Sequence, residues 1–131
     1  MLQITTAAGA IDTTSGEINV PYDHRAIEFC FDLTAAATDV TDTLDVSIQA
    51  FVGGQWVDVV HFTQVLGNGG AKRYFAKINA TAAVTMFENA TALAAGSVRD
   101  LVSTRYRVRY VQVDANSNAA FTFTVKATPL W

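Results

Sequence analysis

His24, His61 and Cys30 are the whole stock of histidine and cysteine in this chain, and they set what chemistry it can carry. Zinc sites usually recruit paired Cys or His a few residues apart, a spacing these three lack. Asp58 precedes His61 by three residues, the beginning of an acid–base arrangement that a serine would complete. On a regular strand, residues three apart point to opposite faces, and no serine sits in a Gly-x-Ser-x-Gly elbow. His61 therefore reads as a polar residue at a strand bend, and no catalytic residue is assigned. Asp39, Asp42 and Asp45 recur every third residue and would offer oxygen ligands to Ca²⁺. The EF-hand pattern and its glycine are missing, so the segment reads as a solvated acidic loop with no metal or cofactor. Gly67-Asn68-Gly69-Gly70 is glycine-rich, but a strand follows it where a phosphate cradle needs a helix. It reads as a turn.

The basic residues carry the strongest functional signal. Arg105, Arg107 and Arg109 alternate, which places them as a stripe on one face of a strand. Such a stripe suits phosphates, with Tyr74 and Phe75 as stacking surfaces, or it suits carboxylates. A net charge of −3 has the wrong sign for nucleic acid, so carboxylates are the expected partners. Residues 1–70 hold nine acids and one base, whereas residues 71–131 hold eight bases and three acids. Cross-strand ion pairs between the halves would account for this. Acidic and basic patches meeting on neighbouring copies are the sharper alternative. Trp56 and Trp131, with Tyr22 and Tyr110, are candidates for a sugar-stacking platform. Trp56 lies on an apolar-patterned strand and reads as core. Trp131 follows Pro129-Leu130 and needs a surface to dock on.

The elements that must position these residues are strands. Half of the residues are hydrophobic, 16% are charged, and valine, phenylalanine and threonine abound, which excludes global disorder. A lone cysteine forms no intrachain disulfide; Cys30 reads as a small packed side chain. The first residues lack the basic and apolar regions of an export signal, and no apolar run is long enough to span a bilayer. Alternation predicts strands over Leu2–Thr6, Ala26–Leu33, Leu44–Val52, Gln55–Leu66, Lys72–Ile78, Arg105–Val113 and Ala120–Ala127. Gly53-Gly54 predicts a two-residue hairpin turn. The length of Gln55–Leu66 predicts a bend or bulge near His61 that carries the strand between sheets. Residues 80–96 lack alternation and predict a long loop, with a short helical turn in Ala83–Ala95. The expected fold is all-β: a jelly-roll-like β-sandwich of about eight strands spanning 17–131, with 1–16 as an N-terminal arm or edge strand.

Thr43–Gln49, Gly53–Val65, Lys72–Ile78 and the Tyr106-Arg107-Val108-Arg109-Tyr110 strand together resemble small β-sandwich structural proteins of tailed bacteriophages. That family includes head-decoration and auxiliary capsid proteins. The resemblance covers roughly residues 43–127 and rests on strand texture and turn placement. It implies a non-enzymatic virion protein, assembled in the host cytoplasm, that docks in many copies on a major capsid protein or other virion proteins. It also implies a homo-oligomer and no membrane partner. Leu2, Ile4, Arg105, Arg107, Arg109, Leu130 and Trp131 are the expected contact residues. A carbohydrate-binding module or tail-associated adhesion domain is the alternative.

Overall fold

The computed structural model describes residues 1–80, 92–114 and 116–130, which form ten strands and no helix. They are β1 (Leu2–Thr5), β2 (Ile11–Asn19), β3 (Ala26–Ala35), β4 (Thr43–Val52), β5 (Gln55–His61), β6 (Val65–Leu66), β7 (Lys72–Asn79), β8 (Ser97–Val98), β9 (Arg105–Val113) and β10 (Thr122–Leu130). Two antiparallel sheets pack face to face as a β-sandwich. One has the order β1-β10-β3-β7, the other β2-β9-β4-β5-β8, with β6 also paired to β4. The expected helical turn falls largely outside the described residues; Ala92–Ala95 carry no helix. The strand count exceeds the expected eight, because β6 and β8 are two-residue bridges that alternation cannot register.

The core follows from period-2 alternation. Ile27, Phe29, Phe31 and Leu33 on β3 are fully buried, facing Val46 and Ile48 on β4 and Tyr106 and Val108 on β9. Phe31 lies at the centre of an aromatic cluster. Its ring meets those of Phe62 and Phe123 edge to face, each at 5.3 Å between centroids. Aromatic contacts of this geometry add to the large area each ring buries. Phe31→Ala is expected to cost about 3–5 kcal/mol of stability. Urea denaturation followed by tryptophan fluorescence would measure it.

Two departures from the expected strands have a common cause, an extra residue in one strand of a pair. Residues 1–16 are rich in Ala, Thr, Gly and Ser with little to bury, so no strand is expected over β2; on a regular strand Ile11 and Ile18, seven apart, would face opposite sides. The ladder against β9 slips between Thr14 and Glu17, and this restores the parity. Ile11 then pairs with Gln112 and Ile18 with Tyr106, both inward positions. Inside the slip, the Ser15 hydroxyl oxygen accepts the Val108 N–H at 2.9 Å, standing in for a missing backbone acceptor.

The second bulge lies on β5. Asp58 pairs with Gln49 and Val60 with Ile48, which leaves Val59 as the extra residue. Val57, Val59 and Val60 are all buried, so the outward positions become Trp56, Asp58 and His61. The chain does not change sheets here. Phe62 N–H donates to the Val46 carbonyl, and β6 then pairs with Thr43 and Leu44, so residues 55–66 follow β4 throughout.

The ends are sewn into the first sheet. Leu2 and Ile4 on β1 are half-buried, opposite Val125 and Phe123. β10 runs beyond the expected Ala127 to Leu130 through Pro129, which pairs with Ile27. The Leu130 carbonyl accepts Arg25 N–H, so Pro129, one residue earlier, turns its nitrogen away from β3. β1 covers only Thr122–Val125, so on that side Pro129 removes no ladder bond.

Candidate interaction face

The outer face of the second sheet gathers most of the polar residues singled out in the sequence. β9 contributes Arg105, Arg107 and Arg109, between β2 with Asp12 and Glu17 and β4–β5 with Asp45, Ser47, Gln49, Trp56, Asp58 and His61. Every member is set outward by alternation or by one of the two bulges.

The arginine stripe is engaged within its own domain. Arg109 grips Asp12 with two hydrogen bonds of 3.1 and 3.0 Å, and Arg105 holds Glu17 in the same forked manner. Each pair runs diagonally, since Asp12 sits opposite Val111 and Glu17 opposite Arg107. The hydrogen bonds from Arg109 and Arg105 lower the pKa of Asp12 and Glu17. Among the described residues, Arg107 has no carboxylate in direct contact. Its Nε donates to Gln49 Oε1 at 2.7 Å, and Gln49 Nε2 donates to Asp58 at 2.9 Å. The Arg107 guanidinium lies 4.4 Å from the centre of the Trp56 ring, and Arg105 lies 4.1 Å from that of Phe51. Burial and the charge of Arg109 lower the pKa of Arg107, partly offset by Asp58.

The uneven charge of the two halves of the chain thus resolves into cross-strand pairs, to which Arg73 and Asp32 on the first sheet add another at 3.0 Å. Exposed pairs of this kind contribute little. Arg109→Ala is expected to cost less than about 1 kcal/mol, and less still at high salt. Chemical denaturation in low and high NaCl would check both.

Trp56 is not core. The Gly53-Gly54 turn pairs it with Phe51 on the outward face, half-buried against that ring at 5.1 Å and beneath Arg107. The bulge at Val59 brings Asp58 and His61 to one face, which regular alternation forbids. His61 is nonetheless fully engaged: Nε2 contacts Asp45 at 3.1 Å and Nδ1 contacts the Leu93 carbonyl at 2.9 Å. Gln64 Nε2 holds the other Asp45 oxygen at 2.8 Å. Ser47 is the ladder partner of His61, yet neither ring nitrogen is left to accept its proton. This arrangement anchors the segment after residue 91 to the sheet.

The acidic loop separates. Asp45 belongs to the outer face, Asp39 is bonded by Thr41 and Asn116, and Asp42 is wholly buried, contrary to the expected solvated loop. Cys30 is half-exposed on the outer face of the first sheet beside Phe75, its ladder partner, and burial raises its pKa. Of the expected contact residues, Leu2, Ile4 and Leu130 are half-buried in strands, and Trp131 lies outside the described residues. Sequence reasoning missed Gln49, the hub between Arg107 and Asp58. Both its outward position and its partner were within reach, since the two-residue Gly53-Gly54 turn sets Asp58 opposite Gln49 by plain register.

No family model matches the chain, and no curated protein matches it in sequence.

Proposed function

We propose that this protein is a non-enzymatic structural component of a tailed-phage virion, a decoration or auxiliary protein that docks in many copies on the particle. The strand order carries the proposal. With β6 and β8 set aside, β1 pairs β10, β2 pairs β9, β3 pairs β7 and β4 pairs β5, in alternate sheets. That is the winding of an eight-stranded jelly roll, an architecture used by viral capsid domains and lectins. A fold does not choose a function by itself. Further support comes from the outer face, where Arg105 and Arg109 are already paired with Glu17 and Asp12 and Arg107 is held by Gln49, a prearranged surface. Many such surfaces on a repeating lattice gain affinity by multivalency. The partners in this reading are the major capsid protein or other virion proteins, and copies of the chain itself, assembled in the host cytoplasm.

Incubation of the purified protein with heads and tails of candidate phages, imaged by cryo-electron microscopy, tests the proposal. Regular density at lattice positions is the expected result; particles bare at all positions would sink it.

Trp56 supports a second reading, a glycan-binding face. An outward indole beside Phe51, with Gln49, Asp58 and Arg107 within reach, supplies a stacking surface and hydrogen-bonding groups. A glycan array separates the two: binding abolished by Trp56→Ala would favour the lectin reading over the lattice one.

A further inference from the structure

At the end of the sandwich where β4 begins and β9 ends, several buried oxygens have no donor. Asp42 is 0% exposed, and neither of its carboxylate oxygens has a hydrogen-bond partner. It immediately precedes Thr43, which pairs with Val113, so it stands opposite Asp114 on the inward side. Two positions back on β9, Gln112 is 1% exposed, and its Oε1 also lacks a partner. The orientation of this amide is fixed, because Nε2 donates to the Ala7 and Gly9 carbonyls, both at 2.9 Å. A flipped amide would set oxygen against oxygen.

Asp114 differs. Its Oδ2 accepts N–H groups from Gly9 at 2.8 Å and Ala119 at 2.9 Å, and its Oδ1 accepts Asn116 N–H. Those donors hold it as an anion beside Asp42. Burial, then the charges of Asp114 and Asp39 and a hydrogen bond that a protonated Asp42 would share with Asp114, raise the pKa of Asp42. A proton on Asp42 relieves this only in part. Its single O–H serves Asp114 and leaves Gln112 Oε1 unpaired.

We propose that Asp42, Asp114 and Gln112 Oε1 bind a hard divalent cation, Ca²⁺ in preference to Mg²⁺. A cation satisfies every orphaned oxygen at once and offsets the two facing carboxylates. All the groups are hard oxygen ligands, and an amide oxygen with carboxylates is the donor set that Ca²⁺ takes. No three Asp, Glu, His or Cys side chains gather as a metal cage among the described residues. The site depends on two carboxylates and one amide, completed by backbone carbonyls or water. It is also distinct from the Asp39–Asp42–Asp45 spacing, of which it uses only Asp42.

The test is thermal unfolding of the full chain in EDTA against about 5 mM CaCl₂ or MgCl₂ at pH 7, with calorimetric titration of Ca²⁺. Binding to the folded state alone should raise the melting temperature by about 5 °C or more, with a smaller effect of Mg²⁺. Asp42→Asn should abolish the shift while melting above the wild type in EDTA, since it removes a buried unpaired charge. Gln112→Ala should weaken the shift and carries the test if the Asp42 variant fails to fold. An equal Ca²⁺ shift in Asp42→Asn would overturn the proposal. So would no shift or heat in the wild type, with its stability in EDTA rising from pH 7 to 5, the sign of a proton in place of the cation.

Discussion

Asp114→Ala is expected to lower the melting temperature by about 10 °C or more in EDTA at neutral pH. One carboxylate joins three segments there: Gly9 before β2, the end of β9, and the turn through Asn116 to Ala119. Alanine strands several backbone N–H groups at once, and buried donors without acceptors are among the costlier defects in a fold. Burial opposes ionisation of Asp114, but the N–H groups of Ala119, Gly9, Asn118 and Asn116 outweigh it and bring its pKa to about 2. The folded pKa lies below the ordinary value of 3.8, so the contribution is full above that value and is lost as pH falls towards 2. Asp42 has the opposite sign. Its raised pKa means that its contribution is present in acid and lost as pH rises through the folded value. Differential scanning calorimetry from pH 2 to 7 checks both signs. The gap between wild type and Asp114→Ala should close below pH 4, while Asp42→Asn gains on wild type as pH rises.

Gly67→Ala is expected to cost at least about 3 kcal/mol, enough to leave much of the protein unfolded or insoluble. A Cβ at residue 67 would lie 1.8 Å from the Asp39 carbonyl oxygen and 2.8 Å from its carbon. Both are backbone atoms, so no side-chain rotation relieves the clash. The close approach has a purpose: Gly67 N–H donates to the Asp42 carbonyl at 2.7 Å, and Asn68 N–H donates to that of Ala37. The turn thereby clamps the loop that buries Asp42. Gly69→Ala is the matched control, since its Cβ would meet the Leu66 oxygen only at 3.2 Å. Soluble yield and the urea midpoint should fall sharply for residue 67 and modestly for residue 69.

Alternation made β3, β4, β7 and β9 legible because each alternates apolar inward side chains with largely polar outward ones. Gly53-Gly54 was equally plain, and both residues adopt the positive φ that a tight hairpin demands. What stayed hidden was parity. One inserted residue in β2 and one in β5 reverse which side chains beyond them face outward; the length of Gln55–Leu66 signals the bulge near His61 without placing it at Val59, and nothing in Thr14–Glu17 announces the other. Hence Asp58 and His61 read as divided, whereas Trp56, read as core from its apolar neighbours, is set outward opposite Phe51 by the hairpin turn alone. Asp42 was misread for a different reason. Three spaced aspartates predict solvation, whereas burial of the middle one depends on Gly67, some 25 positions away, and on a partner near the far end of the chain.

The pairing of β1 with β10 sets a timetable for synthesis. Leu2 meets Val125 and β2 meets β9, whereas only the β4–β5 hairpin closes between neighbours in sequence. Translation at about 5–20 residues per second leaves β1 waiting roughly 6–25 s for its partner. Until β7 is made, β3 exposes both edges and an apolar face. Its outward Glu28 and Asp32 then act as gatekeepers, repelling another nascent chain's β3 before their native partners on β7 arrive. A winding that ends with its first and last strands side by side folds late, so its early strands must stay soluble alone.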